Sequence, residues 1–441
     1  MICLVLRKTL FRVLRAGQYH WMQNLPGFRD FYPEDCARRN YILAVWREVA
    51  RRYGFVEYDG PVLEPIELYQ KKSGGELVGQ LFDFVDKGGR HVALRPEMTP
   101  TLARMVAAKE RDFKKPLKWF CVPQFFRYEK PQRGRGREFY QFNADIIGEA
   151  SAAADAELIA LAIDVLRGFG LGEKEFVVRL SSRTAWQDFF AAAGGKPEDE
   201  DEFFQIVDKA ERNPSEKTNE ALAKLSVAGL TSEGILTFMR SKTPGGLAPI
   251  LENLQARGLG GFVEVDYAIV RGLAYYTGVV FEVFDRSKNE RALAGGGRYD
   301  RLLSLMSDGK VDLAALGFGL GDVVLANLIE DTVAANAQRD AWISRNHTAD
   351  IYVVVAKAEY RLDALAIVHQ LREAGWRADF PLSEAKVGKQ FQAAEQLGAE
   401  LAIVVGDEWP QVKIKTLATR EEVAVPNTGL ADWLRNRQKS S

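Results

Sequence analysis

Hydrophobic and polar positions alternate with a helical period in some stretches and a strand period in others, and the switches divide the chain into blocks. Between residues 36 and 53, Tyr41, Leu43, Ala44, Trp46, Val49 and Ala50 recur on one broad helical face, and Gly54 ends the helix. FVEYDGPVLEP follows as an extended run broken at Gly60-Pro61. The alternating segments LFDFVD and HVALRP flank Lys87-Gly88-Gly89-Arg90, which reads as a hairpin turn. LKWFCVPQFFRYEK and REFYQFNADIIG are again strand-like, joined by the basic, glycine-containing PQRGRG. Strands joined by short loops need no crossover, so this block predicts an antiparallel sheet.

A helix is expected over 151–172 and a strand at EFVVRLSS. Residues 185–258 turn polar and helical, as a helical insertion would. The sheet resumes at Val263 and continues through RGLAYYTGVVFEVF, AGGGRYDRLLSLM and ALGFGLGDVVLANLI, the last a glycine-rich strand running into a helix. A composition break at 331–349 reads as a linker. Beyond it IYVVVA, YRLDALAIVHQLREAG, RADFP, VGKQFQAAEQLG and LAIVVG alternate β and α, which predicts a compact α/β domain over 350–441 with a mixed sheet. The fold class is therefore α+β, an antiparallel sheet flanked by helices followed by a small α/β domain.

Composition narrows the chemistry. The 441 residues are 47% hydrophobic and 27% charged, ordinary for a globular chain of two or three domains. The 59 basic and 60 acidic residues nearly cancel, so any surface for nucleic acid must be local. Cysteines at 3, 36 and 121 are scattered and odd in number, which fits a reducing cytoplasm better than a disulfide framework. Histidines at 20, 91, 347 and 369 have no metal-ligand spacing. Residues 1–21 are apolar and basic without an acid, and are expected to be a disordered extension or to lie upstream of a start at Met22. No segment is apolar and long enough to cross a membrane.

Three stretches could carry chemistry. In LRPEMTPTLARM, strand alternation would set Arg95 and Glu97 on one face, as a surface ion pair before a helix capped by Thr99 or as an acceptor for a substrate ammonium at Glu97. In FRYEKPQRGRGREFYQF, Arg127 and Glu129 would share a face. The loop bearing Lys130, Arg133, Arg135 and Arg137 suits polyphosphate or nucleic acid, or is a solvated basic hairpin. Gln141 and Asp145, four apart, would look into one cavity. RGLAYYTG sets Arg271, Tyr275, Tyr276 and Thr277 before a strand, either as a turn with packed tyrosines or as a pocket for a small polar substrate. There is no GK[ST], no GxGxxG in a βαβ setting and no nucleophile elbow, so these sites are not expected.

In order, LRPE-x-T, FRYE-x-PQ-x-GR-x-REF-x-Q, RGL-x-YYTG, AGGGRYD, the glycine-rich strand with its helix, and a terminal GKQF-x-x-A resemble the histidyl-tRNA synthetases, class II aminoacyl-tRNA synthetases, from about Gly27 to the C-terminus. That resemblance implies a dimeric catalytic domain at 22–330, with Pro61 at the dimer interface, and an anticodon-binding domain at 350–441. It implies that Arg127 holds the ATP α-phosphate, with Glu129, Arg137 and Gly319 also on ATP. Glu97, Thr99 and Gln141 would bind the histidine ammonium, and Asp145, Tyr275, Tyr276 and Tyr299 would surround the imidazole. Arg271 would act catalytically between carboxylate and α-phosphate. Gln132, Arg133 and Arg135 would meet the tRNA acceptor end. Lys386 and Lys389, with Gln390, would face an anticodon or form a solvated helix start. ATP is the implied co-substrate and Mg2+ is expected on its phosphates, with no protein ligand set.

The sequence also departs from the family. Asp322, Val323 and Val324 stand where Glu-Arg-Leu is usual, removing the arginine that would bind the ATP γ-phosphate, a role for which Arg104 or the 133–137 loop is the expected substitute. Ala274 replaces the usual aspartate. A silent paralogue, acting as a histidine-sensing subunit of ATP phosphoribosyltransferase, is the rival implied by those losses. Arg271 and the complete last domain favour the ligase that charges tRNA(His).

Overall fold

The computed structural model describes residues 24–70, 79–130, 134–225, 227, 229–270, 276–287, 291–347 and 349–438. Residues 1–21, Gln132, Arg133, Arg271, Ala274 and Tyr275 thus lie outside the described residues. The chain divides into two compact units, meeting in sequence between Asn336 and Ala337.

The strands of the first unit are β1 (Val56–Glu57), β2 (Leu63–Pro65), β3 (Phe82–Val85), β4 (His91–Leu94), β5 (Leu117–Cys121), β6 (Gln124–Phe126), β7 (Glu138–Ile147), β8 (Phe176–Ser182), β9 (Val263–Val265), β10 (Val279–Asp285), β11 (Ala294–Arg298) and β12 (Ala315–Gly321). Nine of them form one sheet in the order β1-β5-β7-β12-β11-β10-β8-β9, with β6 beside β7. Its interior is antiparallel, as expected, but β1 runs parallel to β5 and β9 parallel to β8, so the sheet is mixed. Parallel neighbours need a long crossover, and the helices between Arg183 and Ala256 supply one for β9. The expected hairpin forms, but in a separate three-stranded sheet, β2-β4-β3.

Side-chain alternation sorts the sheet into two faces. Phe142 on β7 meets Phe318 on β12 at 5.6 Å and Trp46 at 6.0 Å, so this face carries the helices Pro33–Arg52 and Ala152–Arg167. The first of these starts three residues before the periodicity does, with Pro33 in its first turn and Glu34 and Asp35 complementing the helix dipole. It buries Ala37, Tyr41, Ile42, Trp46, Val49 and Ala50, while Leu43 and Ala44 are only half-buried. The intervening residues of β7, Gln141, Asn143 and Asp145, point to the other face.

Two expectations need correction. β4 ends at Leu94, so Arg95 and Glu97 do not share a strand face; Arg95 is buried and donates to Asp59 and the Gly60 carbonyl, both at 2.8 Å. Thr99 opens the helix Thr99–Lys109 with no side-chain cap, and Met98 holds the capping position. Within the 331–349 stretch, expected as a linker, helix Val333–His347 fills most of the length. It holds neither glycine nor proline, and alanine, glutamine and arginine sustain the helix.

The second unit has a five-stranded mixed sheet in the order β14-β13-β15-β16-β17, from β13 (Ile351–Val355), β14 (Ala378–Asp379), β15 (Leu401–Val405), β16 (Gln411–Thr416) and β17 (Glu422–Pro426). Ile351, Val353, Ile367, Leu371, Ile403 and Leu434 share its main core.

Candidate active site

On the other face of the large sheet, polar side chains of β7 stand opposite the bare backbone of β12. Asp145 pairs in register with Gly317, and Asn143 with Gly319. A Cβ on Gly317 would strike the Asp145 carboxylate, and one on Gly319 would lie 2.7 Å from Gln141 Cδ. The glycines of GFGLG therefore make room for two polar side chains. Asp145 is 5% exposed, and its Oδ1 accepts a hydrogen bond from the hydroxyl of Tyr299, itself buried.

Tyr299 is held there by its neighbours in GGGRYD. Arg298 donates to the buried Asp155 through Nε at 3.2 Å and Nη2 at 2.7 Å, and through Nη1 to Asp300 at 3.2 Å. Asp300 in turn accepts from the Ala315 amide at 3.0 Å and from Thr277 Oγ1 at 3.2 Å. Burial pushes the Asp155 carboxyl up, and Arg298 pulls it back. Tyr276 packs in the same apolar cluster as Tyr299, with half-buried Tyr58 and Trp119 against it. Burial pushes the Tyr58 hydroxyl and the Cys121 thiol beside it well up, so both stay protonated.

A cavity of about 290 Å³ adjoins this group, lined by Arg127, Glu129, Arg135, Gln141 and Gly319 among others. Arg127 donates to the Pro96 carbonyl at 2.9 Å, which ties it to the turn carrying Glu97. Glu129 is buried and ion-paired with Arg135. Four more wall residues escaped the sequence reading as site residues: Glu282, Arg291, Asp322 and Val323. Burial raises the Asp322 carboxyl, while Arg29, donating at 3.0 Å, draws it down; Arg29 also donates to Glu138 at 2.6 Å. Only pocket geometry reveals Glu282 and Arg291, since neither stands in a recognisable motif.

Other expected residues fall elsewhere. Glu97, in the turn before the helix, and Thr99, its first residue, are half-buried, Glu97 close enough to help raise the Tyr69 hydroxyl. Arg137 is not in the cavity wall: its Nε donates to the Glu129 carbonyl at 3.0 Å and its guanidinium lies 4.3 Å from the Tyr128 ring centre. Arg104 donates to buried Glu64 at 2.6 Å and does not line the cavity either. In the second unit, Lys386 lines a cavity with Lys357 and Arg361, and Lys389 is exposed on the first turn of helix Val387–Gln396. Gln390 instead clamps the end of β13, exchanging 2.8 Å hydrogen bonds with the Val355 amide and carbonyl.

Residues 27–321 match the sequence model of histidyl-tRNA synthetase, and residues 350–437 that of the anticodon binding domain. The chain belongs to the histidyl-tRNA synthetase family. A histidine–tRNA ligase of Opitutus terrae is 44% identical over 94% of this chain and 98% of its own. Among solved structures, histidyl-tRNA synthetase from Nostoc sp. PCC 7120 superposes with a TM-score of 0.73 at 22% identity, over 94% of this chain and 99% of that one. A Bacillus halodurans protein described as an ATP phosphoribosyltransferase regulatory subunit/histidyl-tRNA synthetase gives 0.68 at 23% identity, over 86% and 97%. At such identities these two likenesses speak to the synthetase fold alone.

Proposed function

We propose that this chain is a histidine–tRNA ligase, making histidyl-adenylate and pyrophosphate from histidine and ATP and then charging tRNA(His). The observation that carries the reading is the buried Asp145–Tyr299 pair over Gly317, next to a cavity walled by Arg127 and Gln141. A carboxylate and a phenol held in register suit the two ring nitrogens of an imidazole, and an analogue lacking those nitrogens would leave buried polar groups unpaired. Gln141, with Glu97 and Thr99 beyond the Pro96 turn, would receive the ammonium. Tyr276 would close the ring pocket.

ATP would lie along the glycine strand with its α-phosphate at Arg127 and its adenine end toward Glu129. One carboxylate oxygen of histidine attacks the α-phosphorus, the bond to the bridging oxygen breaks, and pyrophosphate leaves with the electron pair. No protein nucleophile is required; positioned cations neutralise the spreading charge. Arg271 is assigned that role by family resemblance. The terminal ribose hydroxyl of tRNA then attacks the carbonyl and AMP departs. Mg2+ would supply further charge neutralisation on the phosphates, with Glu282 among the carboxylates of the cavity wall.

Lys386 and Lys389 are proposed to face the anticodon, and Arg135 with Gln132 and Arg133 the acceptor end. A homodimer is supported by apolar surface beside Pro61, where Val62 is 46% and Leu63 40% exposed. The reaction is proposed for the cytoplasm. A histidine-sensing paralogue would use the same imidazole pocket, but the anticodon-binding match over 350–437 supports the ligase. Purified protein with ATP and Mg2+ should attach labelled histidine to tRNA(His) and not to other tRNAs. Tight histidine binding without charging would favour the sensor.

A further inference from the structure

The polyphosphate end of the cavity has three arginines, and they differ in what already holds them. Arg127 is tied to the Pro96 carbonyl, and Arg135 is paired with buried Glu129. Arg291 is exposed, stands three residues before β11, and takes part in no hydrogen bond or ion pair among the described residues. The start of helix Asp322–Asp331 contributes Asp322, Val323 and Val324 to the same wall. Val323 has no charge to offer, and Asp322 is an acid neutralised by Arg29. Arg291 is thus the wall arginine that a triphosphate tail could engage without displacing a partner among the described residues.

We propose that Arg291 grips the terminal phosphates of ATP, the task left without a residue at the start of helix Asp322–Asp331; this rests on the ligase reading above. The guanidinium fork matches two phosphate oxygens at once, and a side chain with no partner gives up none on engaging them. Its position at the mouth of β11 lets a neighbouring strand deliver the charge that the helix start lacks. As the bond from the α-phosphorus to the bridging oxygen breaks, Arg291 would offset the charge arriving on pyrophosphate. Arg104, held by Glu64 outside the cavity, does not take this role.

The test compares wild type with Arg291→Ala and Arg291→Lys in histidine-dependent pyrophosphate exchange, alongside calorimetric binding of ATP and of AMP. Loss of a charged hydrogen bond should raise KM for ATP and for pyrophosphate by roughly 10- to 100-fold in Arg291→Ala. KM for histidine, affinity for AMP and melting temperature should stay at wild-type values, with Arg291→Lys falling between. Wild-type preference for ATP over AMP should shrink by the same factor, a readout that needs no turnover. Unchanged ATP affinity in Arg291→Ala, or an equal loss for ATP and AMP, would overturn the proposal. Absence of exchange in wild type would instead count against the ligase reading, leaving the ATP-against-AMP comparison to judge Arg291.

Discussion

The proposed imidazole site and the cavity that adjoins it are built on opposite principles. At the proposed imidazole site, Asp145 and Tyr299 are buried and bonded to one another, and Arg298 next to Tyr299 is held by Asp155 and Asp300. In the cavity, at the proposed phosphate site, Arg135 is a third exposed and Arg291 is exposed, and loops and a helix start contribute to the wall beside the strands. The contrast follows from what each site must recognise. Telling one small ring from others demands preset partners with no slack, because specificity arises from leaving wrong groups unpaired. A polyanion is recognised by charge, which tolerates long side chains reaching from whichever element is near. On this proposal the phosphate site could lose a residue from one element and draw a replacement from another, as the imidazole site could not.

Arg298→Ala should have the largest effect, because it strips the partner from a buried carboxylate. A loss of about 3–5 kcal/mol is expected in urea unfolding. Its pH dependence has a definite sign. Burial already holds the folded-state pKa of Asp155 above its ordinary value, and without Arg298 it would rise further. The folded form then binds the proton more tightly than the unfolded chain, so stability falls as pH rises through this range. The deficit of the variant should accordingly shrink toward acid pH; a deficit that grew there would mean that Asp155 is not the group left exposed to the penalty.

Asp145→Ala should come next, weakening histidine binding by about 2–3 kcal/mol, or roughly 30- to 150-fold, while KM for ATP holds. Steady-state kinetics with each substrate varied in turn reads both. Equal losses for histidine and ATP would dissolve the division into two sites. Gly319→Ala probes the seam between them, because the added methyl would crowd Gln141 and must displace it. Overpacking of about 1–3 kcal/mol should appear in KM for both substrates. The smallest effect concerns Cys121, which lies in the wall region of Tyr58 and whose thiol burial pushes well up. Native protein at pH 8 should be alkylated at Cys36, half-buried, well before Cys121, as peptide mass mapping would show.

Motif order alone made the family readable, since an arginine pair, a tyrosine segment and a glycine-rich strand recurred in sequence. Period-two alternation correctly set Gln141 and Asp145 on one face of β7. It failed at Arg95 and Glu97, because Pro96 stops β4 and the arginine turns inward to Asp59. The parallel edges β1 and β9 were hidden because two- and three-residue strands carry no period, and only long-range pairing reveals them. Arg137 and Gln390 each bond to a backbone carbonyl nearby, contacts that residue type alone does not reveal. Arg291 is inconspicuous in the sequence because one arginine in a polar stretch carries no pattern; only the cavity it lines draws attention to it.

The central claim is that these two sites together make histidyl-adenylate. Exchange of labelled pyrophosphate into ATP measures that step without tRNA. Exchange should require histidine and should fail in Asp145→Ala at histidine concentrations that saturate wild type. No exchange in wild type at any histidine concentration, with histidine binding intact, would contradict it.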